Sequence, residues 1–396
     1  LETTVQTMIR YAAYPAILAA VLLAALAVAG GSAPAWPLLA AVAGMGIALV
    51  AVLERLLPFE PAWTADQGDT RADIVHALIN WALLSSGAVA VHLVTTFVGL
   101  PSLWPTTWPV WAQLALVAVV FDLGLYGMHV LSHRWPWAWR LHAIHHSAER
   151  LYWLNGERRH PLSALLMATP GLLAVALLGA PAVVVSAWLA VVAVHLAFQH
   201  ANLDYRLGPL RRWIAGAETH RWHHKREYED AQVNFGEFLL VWDRLFGTFA
   251  EPATALGASD VGLRRRDVPP GYVGQLRWPF VVPTELQRAF EGRLLAGHHA
   301  LREARPDDAM THFEAAHILG QAWTRTHVRS HVALLRCAIH ERRPREIVGQ
   351  VGRIAAAALF TWLWAPKGNP GSTRVGALAR HPLPSELELL LARVNS

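Results

Sequence analysis

The sequence predicts an all-α fold: a polytopic bundle of membrane helices with a cytoplasmic, histidine-rich helical cap, followed by a small soluble helical domain. Three observations carry this expectation. Hydrophobic residues make up 54% of the 396-residue chain and charged residues only 16%, against about 25% charged in soluble domains. Asp, Glu, Lys and Arg are absent from residues 11–53, 74–121 and 160–203. The 21 histidines are clustered, eleven of them between His129 and His224.

A spanning helix needs about 20 mainly apolar residues, so each uncharged stretch has room for two. Helix breakers divide each one: Gly30-Gly31-Ser32-Ala33-Pro34, then Leu100-Pro101 through Trp108-Pro109, then Gly179-Ala180-Pro181. The expected hairpins are therefore 11–31 with 36–57, 72–99 with 109–133, and 162–179 with 182–200. A signal peptide is the weaker reading of the first span. No convincing small-residue cleavage site follows it, and the second apolar segment begins almost at once. The third hairpin contains Pro170-Gly171, which leaves a partly re-entrant course as its alternative.

The hairpin tips carry no charge, whereas Arg10, Arg55, Arg71, Arg134, Arg140, Arg150, Arg158 and Arg159 all fall on the opposite side. By the positive-inside rule, the N-terminus, the 134–160 loop and everything after about residue 201 are cytoplasmic. Trp36, Trp104, Trp108 and Trp111 lie near the outer tips, and Trp135, Trp137 and Trp139 at the inner boundary, as an aromatic belt requires. The expected domains are N-terminal hairpins at 1–108, a histidine-rich catalytic domain at 109–252, a Pro/Gly/Arg-rich linker at 253–283 and a soluble helical domain at 284–396. Within the last, apolar residues recur at helical spacing. Residues 289–319 resemble one helix–turn–helix of the tetratricopeptide type.

The formal charge of +5 comes almost wholly from arginine, since Lys225 and Lys367 are the only lysines. Basic loops beside apolar spans account for it. No recognition motif for nucleic acid accompanies the charge, so nucleic acid is not an expected partner. The single Cys337 excludes an intramolecular disulfide and any thiolate-rich zinc or iron–sulfur site. A metal in this chain must be held by nitrogen and oxygen.

The histidines have the spacing for that task. His129 and His133 close the fourth expected span; His142, His145 and His146 follow, and later His220, His223 and His224 repeat the same His-x2-His-His pattern. Spacings of three and four bring imidazoles to one side of a helix. At this histidine content one His-x2-His-His is expected by chance about 0.06 times. His160 and His200 join them as candidate ligands, whereas His76, His92 and His195 read as packed or interfacial. Nine to ten imidazoles exceed the needs of one first-row ion and suit two. Iron, zinc, copper and nickel all accept imidazole, so counting ligands does not name the metal.

The segment Asp122…Tyr126…His129-x3-His133…Trp137-x-Trp139-Arg140-Leu141-His142-x2-His145-His146-Ser147 resembles the first two histidine boxes of the fatty acid hydroxylase / sterol desaturase superfamily, whose members are integral-membrane di-iron enzymes. Asn155 through Arg159-His160-Pro161 and Phe198-Gln199-His200-Ala201-Asn202 are similar to its intermediate motifs. His220-x2-His223-His224 with Asp230, Asn234-Phe235-Gly236 and Trp242-Asp243 resembles its closing motif, in the form found in bacterial members. The likeness covers about 110–252. Val130 stands where many members have Arg, and a clear His-x3-His is lacking at 195–200.

The resemblance implies two iron ions, with zinc as a replacement, on His129, His133, His142, His145, His146, His160, His200, His220, His223 and His224. Asp122, Asn155 and Asn234 are candidates to orient those ligands, since metal-bound histidines usually donate their other N–H to a neighbouring acceptor. It also implies O2-dependent hydroxylation, or desaturation, of a lipid C–H bond. Fatty acyl, sterol, ether-lipid, ornithine-lipid and carotenoid substrates are all left open. No Gly-x-Gly-x-x-Gly, haem or ferredoxin motif is present, so no bound organic cofactor is expected and electrons must come from a separate ferredoxin, cytochrome or reductase. The competing class is a non-catalytic metal-binding or metal-transport membrane protein. A transporter ordinarily places its ligands near the bilayer midplane, not at one face. The C-terminal segment, with His317-x2-Gly320-Gln321 and Gly368-Asn369-Pro370-Gly371, resembles a small bacterial domain family of unknown function.

Overall fold

The computed structural model describes residues 4–99, 102–251, 256–264 and 267–395, and the chain divides into two compact units, 1–276 and 277–396. Leu100 and Pro101 of the second breaker, and 252–255 and 265–266 of the expected linker, lie outside the described residues.

The first unit opens with α1 (Thr4–Ala29), α2 (Ala35–Leu56), α3 (Thr70–Val98), α4 (Val110–Arg134), α5 (Pro136–His146), α6 (Pro161–Leu177) and α7 (Ala182–His200). Of these, α1, α2, α3, α4 and α7 are long and apolar enough to cross a bilayer. The chain is therefore a multi-pass membrane protein. The third hairpin is unequal: α6 has 17 residues, which at about 1.5 Å per residue reaches about 25 Å, short of an apolar core of about 30 Å.

Proline sets several boundaries. Pro109 and Pro181 precede α4 and α7, and Pro136 and Pro161 are the first residues of α5 and α6. Proline lacks an amide hydrogen and disfavours helix in the residue before it, so it suits a first turn and stops a preceding helix. Between α4 and α5 this leaves a single extended residue, Trp135.

α7 packs on α1 and α2, and α6 packs on α3 and α4. Tyr14, Val50, Val117, Phe121, Leu172 and Phe198 are among the buried side chains between them. The α4–α6 crossing is close because two glycines meet there. A Cβ on Gly124 would stand 2.5 Å from the Gly171 nitrogen. Small residues let membrane helices approach in this way.

A buried polar layer ties the helix ends together. Arg158 binds Asp73 and Asp69, Arg150 binds Asp69, and the Tyr152 hydroxyl donates to Asp73 at 2.8 Å. The Glu54 carboxylate accepts the backbone N–H groups of Trp153 and Asn202, each at 3.0 Å. Short helices α8 (Ala217–His223) and α9 (Val241–Phe246) follow, with α10 (Tyr272–Arg277) at the boundary in sequence.

The second unit contains α11 (Thr284–Arg302), α12 (Pro306–Gly320), α13 (Thr324–His340), α14 (Pro344–Phe360) and α15 (Ser385–Asn395). The sequence signals one helix–turn–helix, but the unit holds two. Ala304 and Arg342 both adopt left-handed backbone, φ 57° and 52°. Each is followed by Arg-Pro, and the proline begins the next helix. Leu286, Phe290, Phe313 and Leu334 fill the core between the hairpins.

Candidate metal centre

Three short stretches deliver the histidines. His129 and His133 occupy the last two turns of α4; Pro136 then restarts the chain as α5, which carries His142, His145 and His146. α7 ends on His200, and α8 carries His220 and His223, with His224 directly after it. All nine rings are buried.

They divide into two groups. His129, His133, His142, His146 and His223 form one; His145, His200, His220 and His224 form the other, and the ligand nitrogens within each lie within 4.8 Å of one another. The two His-x2-His-His motifs share a rule. In each, the i and i+4 rings serve one group and the i+3 ring crosses to the other. On an α-helix i and i+4 are about 40° apart, whereas i+3 lies about 100° from i+4. One motif can therefore face two ions, and two such motifs placed together knit the groups into one centre.

The donor set fits metal. Nε2 of His146 is 3.1 Å from Nε2 of His133 and 3.2 Å from that of His142. In the second group Nε2 of His220 is 2.9 Å from that of His200 and 3.1 Å from that of His224. With metal–nitrogen bonds of about 2.1 Å, neighbouring ligands sit about 3.0–3.4 Å apart in octahedral or tetrahedral sites. Nε2 of His129 and of His223 is buried without a hydrogen-bond partner among the described residues. Orphan nitrogens of this kind are costly unless a cation meets them. Burial, and then the neighbouring imidazoles and other cations, pushes His142, His145, His146, His220 and His224 well below the ordinary histidine range. Neutral rings offer the lone pairs that a metal requires.

On three of the rings, His129, His223 and His200, the opposite nitrogen is pinned by an oxygen acceptor. His129 donates Nδ1–H to the Phe235 carbonyl at 2.8 Å, with the Glu237 carboxylate 3.1 Å away. His223 Nδ1 donates to the Val233 carbonyl at 2.9 Å, whereas the Gln232 amide N–H donates to His133 Nδ1 at 3.1 Å. The loop 233–237 thus orients two ligands of the first group, His129 and His223. Asn155 does the same for the second, its Oδ1 standing 3.2 Å from His200 Nδ1. Such partners set the tautomer and the ring plane.

Asp122 and Asn234 touch no ligand ring in this way; they hold the loop that does. Asp122 accepts the N–H groups of Phe238, Leu239 and the Trp242 indole, each at 3.0 Å. Asn234, with φ 55°, pairs both ends of its amide with the Ala250 backbone. Asp243 accepts from Phe235 and Gly236, both at 2.8 Å. Asp230 is at the surface, paired with Lys225.

His160 is the one expected ligand that falls outside both groups: its Nδ1 accepts the Leu162 N–H and caps α6, while Nε2 faces the Leu276 carbonyl. Both of its nitrogens are engaged in this arrangement. His195 lies between the Tyr14 hydroxyl and the Glu237 carbonyl, in keeping with its packed reading. Glu237 was not singled out in the sequence. Burial opposes its ionisation, but the Arg159 guanidinium and His129 outweigh burial and hold it well below the usual carboxylate range. Its position directly after Asn234-Phe235-Gly236 was the available signal.

The fold and the site define a multi-pass membrane protein with two buried histidine clusters able to hold metal. Residues 114–248 match the fatty acid hydroxylase family. The chain is 36% identical over 249 residues to the ornithine lipid hydroxylase OlsE of Rhizobium tropici, covering 59% of this chain and 73% of that protein. Alkylglycerol monooxygenase of Danio rerio is 33% identical over 161 residues, 39% of this chain and 33% of its own. Methylsterol monooxygenase 1 of Rattus norvegicus is 28% identical over 160 residues, 39% of this chain and 53% of its own. The chain belongs to the fatty acid hydroxylase family. Residues 284–391 match a second family, described as a protein of unknown function (DUF3703). No solved structure is significantly similar to the chain.

Proposed function

We propose that the protein is a di-iron membrane monooxygenase that hydroxylates a C–H bond of a membrane lipid, an ornithine lipid first among the classes considered. The observation that carries the reading is the pair of buried imidazole groups, five and four ligands, joined by histidine motifs that serve both. Kinship with a hydroxylase named for an ornithine lipid supports the lipid class. A reduced iron pair would supply O2 activation, the chemistry needed to cleave an unactivated C–H bond.

The protein contributes ligation, orientation and a dry surround. His129, His133, His142, His146 and His223 would hold one ion, and His145, His200, His220 and His224 the other. Asn155 behind His200, Glu237 and the 235 carbonyl behind His129, and the 233 carbonyl behind His223 keep Nδ1–H of these three turned outward, so that their Nε2 faces the metal. Asp122, Asn234 and Asp243 keep the orienting loop in place. Leu141, Ile144 and Phe235 are fully buried around these ligands and exclude bulk water. Iron is the proposed ion on family grounds. Imidazole also accepts zinc, and the general affinity order does not favour Fe²⁺, so zinc can occupy the same ligands on overexpression.

The side of the membrane is proposed from charge. Arginine-rich loops on the histidine side place the centre, and the residues after about 201, in the cytoplasm, where a separate ferredoxin, cytochrome or reductase would deliver electrons. Lipid extracts of cells with and without the gene, grown under ¹⁸O2, test the reaction. Gain of one labelled oxygen in an ornithine lipid is the expected result. A product two hydrogens lighter and unlabelled would mean desaturation; label taken from water would overturn the oxygenase reading.

A further inference from the structure

The second unit contains a histidine group that the hydroxylase centre does not use. His317 on α12 and His327 and His331 on α13 are buried, and one nitrogen of each lies within 4.8 Å of the others. Each ring is pinned from behind through Nδ1. His317 Nδ1 donates to the Asn369 carbonyl at 2.8 Å. His331 Nδ1 donates to Oε1 of Gln350 at 2.8 Å, and the Gln350 amide nitrogen is itself committed to Glu346 and the Gly371 carbonyl. His327 Nδ1 donates to the Thr361 hydroxyl oxygen at 2.7 Å, because that hydroxyl gives its own hydrogen to the Ala357 carbonyl.

All three rings are thereby set with Nε2 as the lone-pair nitrogen, turned inward. Nε2 of His317 and of His331 stand only 3.2 Å apart. Two lone pairs at that distance repel unless a cation lies between them, and the spacing is close to the edge of a tetrahedral nitrogen site, about 3.4 Å for bonds of about 2.1 Å. Burial, and then His331, lowers His327 to about 3, and burial lowers His331 to about 4, which favours neutral donors. Gln321, one turn beyond His317 and still helical, is buried with its Oε1 unpaired among the described residues.

We infer that His317, His327 and His331 bind a borderline first-row divalent cation such as Zn²⁺, with an oxygen in the fourth position and Gln321 as its candidate source. Three imidazoles with one further place is a recognised zinc arrangement, and outer partners on backbone and side-chain oxygens are what such ligands require. The ion would join α12 to α13. Through Gln350, Thr361 and Asn369 it would also order α14 and the loop after it. Its role is a structural clamp on a unit whose second hairpin otherwise rests on a modest core.

The test counts metal on the full-length protein in detergent, loaded with Zn²⁺ and dialysed against a weak chelator. The His327→Gln/His331→Gln double variant should retain one equivalent per chain fewer than wild type, whatever the wild-type total; an unchanged count overturns the site. Because the variant can lose its fold, the wild-type protein is also imaged by anomalous scattering at the zinc edge. A peak among the three Nε2 atoms is expected. Ordered side chains with no peak there would mean a shared proton in place of a metal, and would end the inference. His145→Ala, which removes a ligand of the other centre, should leave that peak in place, so failure of one site is read separately from failure of the other.

Discussion

Glu237 grips His129 from behind the ligand nitrogen while Arg159 keeps it ionised. Glu237→Gln keeps a hydrogen-bond acceptor but removes the charge. It should retain most of the metal and lower turnover by about 10–100-fold, the usual cost of losing an outer partner; metal analysis beside a rate assay separates the two effects. Asn155→Ala should act likewise through His200. His160→Ala, by contrast, should leave metal content unchanged and cost about 1 kcal/mol, the worth of a helix cap. Measured metal in that variant against His145→Ala decides whether His160 is a cap or a ligand. His145 lies inside a His-x2-His-His motif and His160 stands alone, but that spacing does not by itself make His160 a cap. The difference comes from the Leu276 carbonyl, more than a hundred positions away.

At the scale of elements, the centre depends on where helices stop and how closely they cross. Pro136, two residues after the end of α4 at Arg134, redirects the chain, so that His142 and His146 return to meet His129 and His133. That much is legible in sequence, because a proline after a helical run is a boundary on steric grounds. The Gly124–Gly171 approach is not. Gly124 looks like an ordinary member of an apolar run, and Gly171 like part of a local break, until α4 and α6 are placed together. Gly124→Ala should force these helices apart, costing about 1–3 kcal/mol as overpacking does, and a lowered unfolding temperature in detergent would register it. Asp73→Ala leaves the buried Arg158 with Asp69 alone and takes the acceptor from the Tyr152 hydroxyl. Removing one partner of a buried pair costs about 3–5 kcal/mol, so this variant should lose folded protein, measured by size-exclusion yield, more severely than Gly124→Ala.

For the whole molecule, the arrangement of charge makes a definite topology testable. Single cysteines at Gly31, Thr106 and Glu229, in a background lacking Cys337, should report two sides of the membrane. The first two should react with an impermeant thiol reagent added outside, and Glu229→Cys should not. Equal labelling at all three would reject the orientation. The five long helices do not depend on that outcome, since their length and hydropathy are properties of the chain.

Composition and breakers by themselves determined the helical membrane class, the hairpin boundaries near 30–35 and 179–182, and nine of the histidines that gather in the centre. These features are local: apolar length, proline geometry and i, i+3, i+4 spacing act within a few turns. Tertiary structure alone decided how the nine divide into five and four, why His160 stands apart, and that Glu237 lies behind His129. It also decided which of the C-terminal histidines close into a third imidazole group across α12 and α13. Each of these depends on contacts between residues distant in sequence, where the deciding quantity is a distance of about 3 Å for a hydrogen bond, and no periodicity in a chain encodes that.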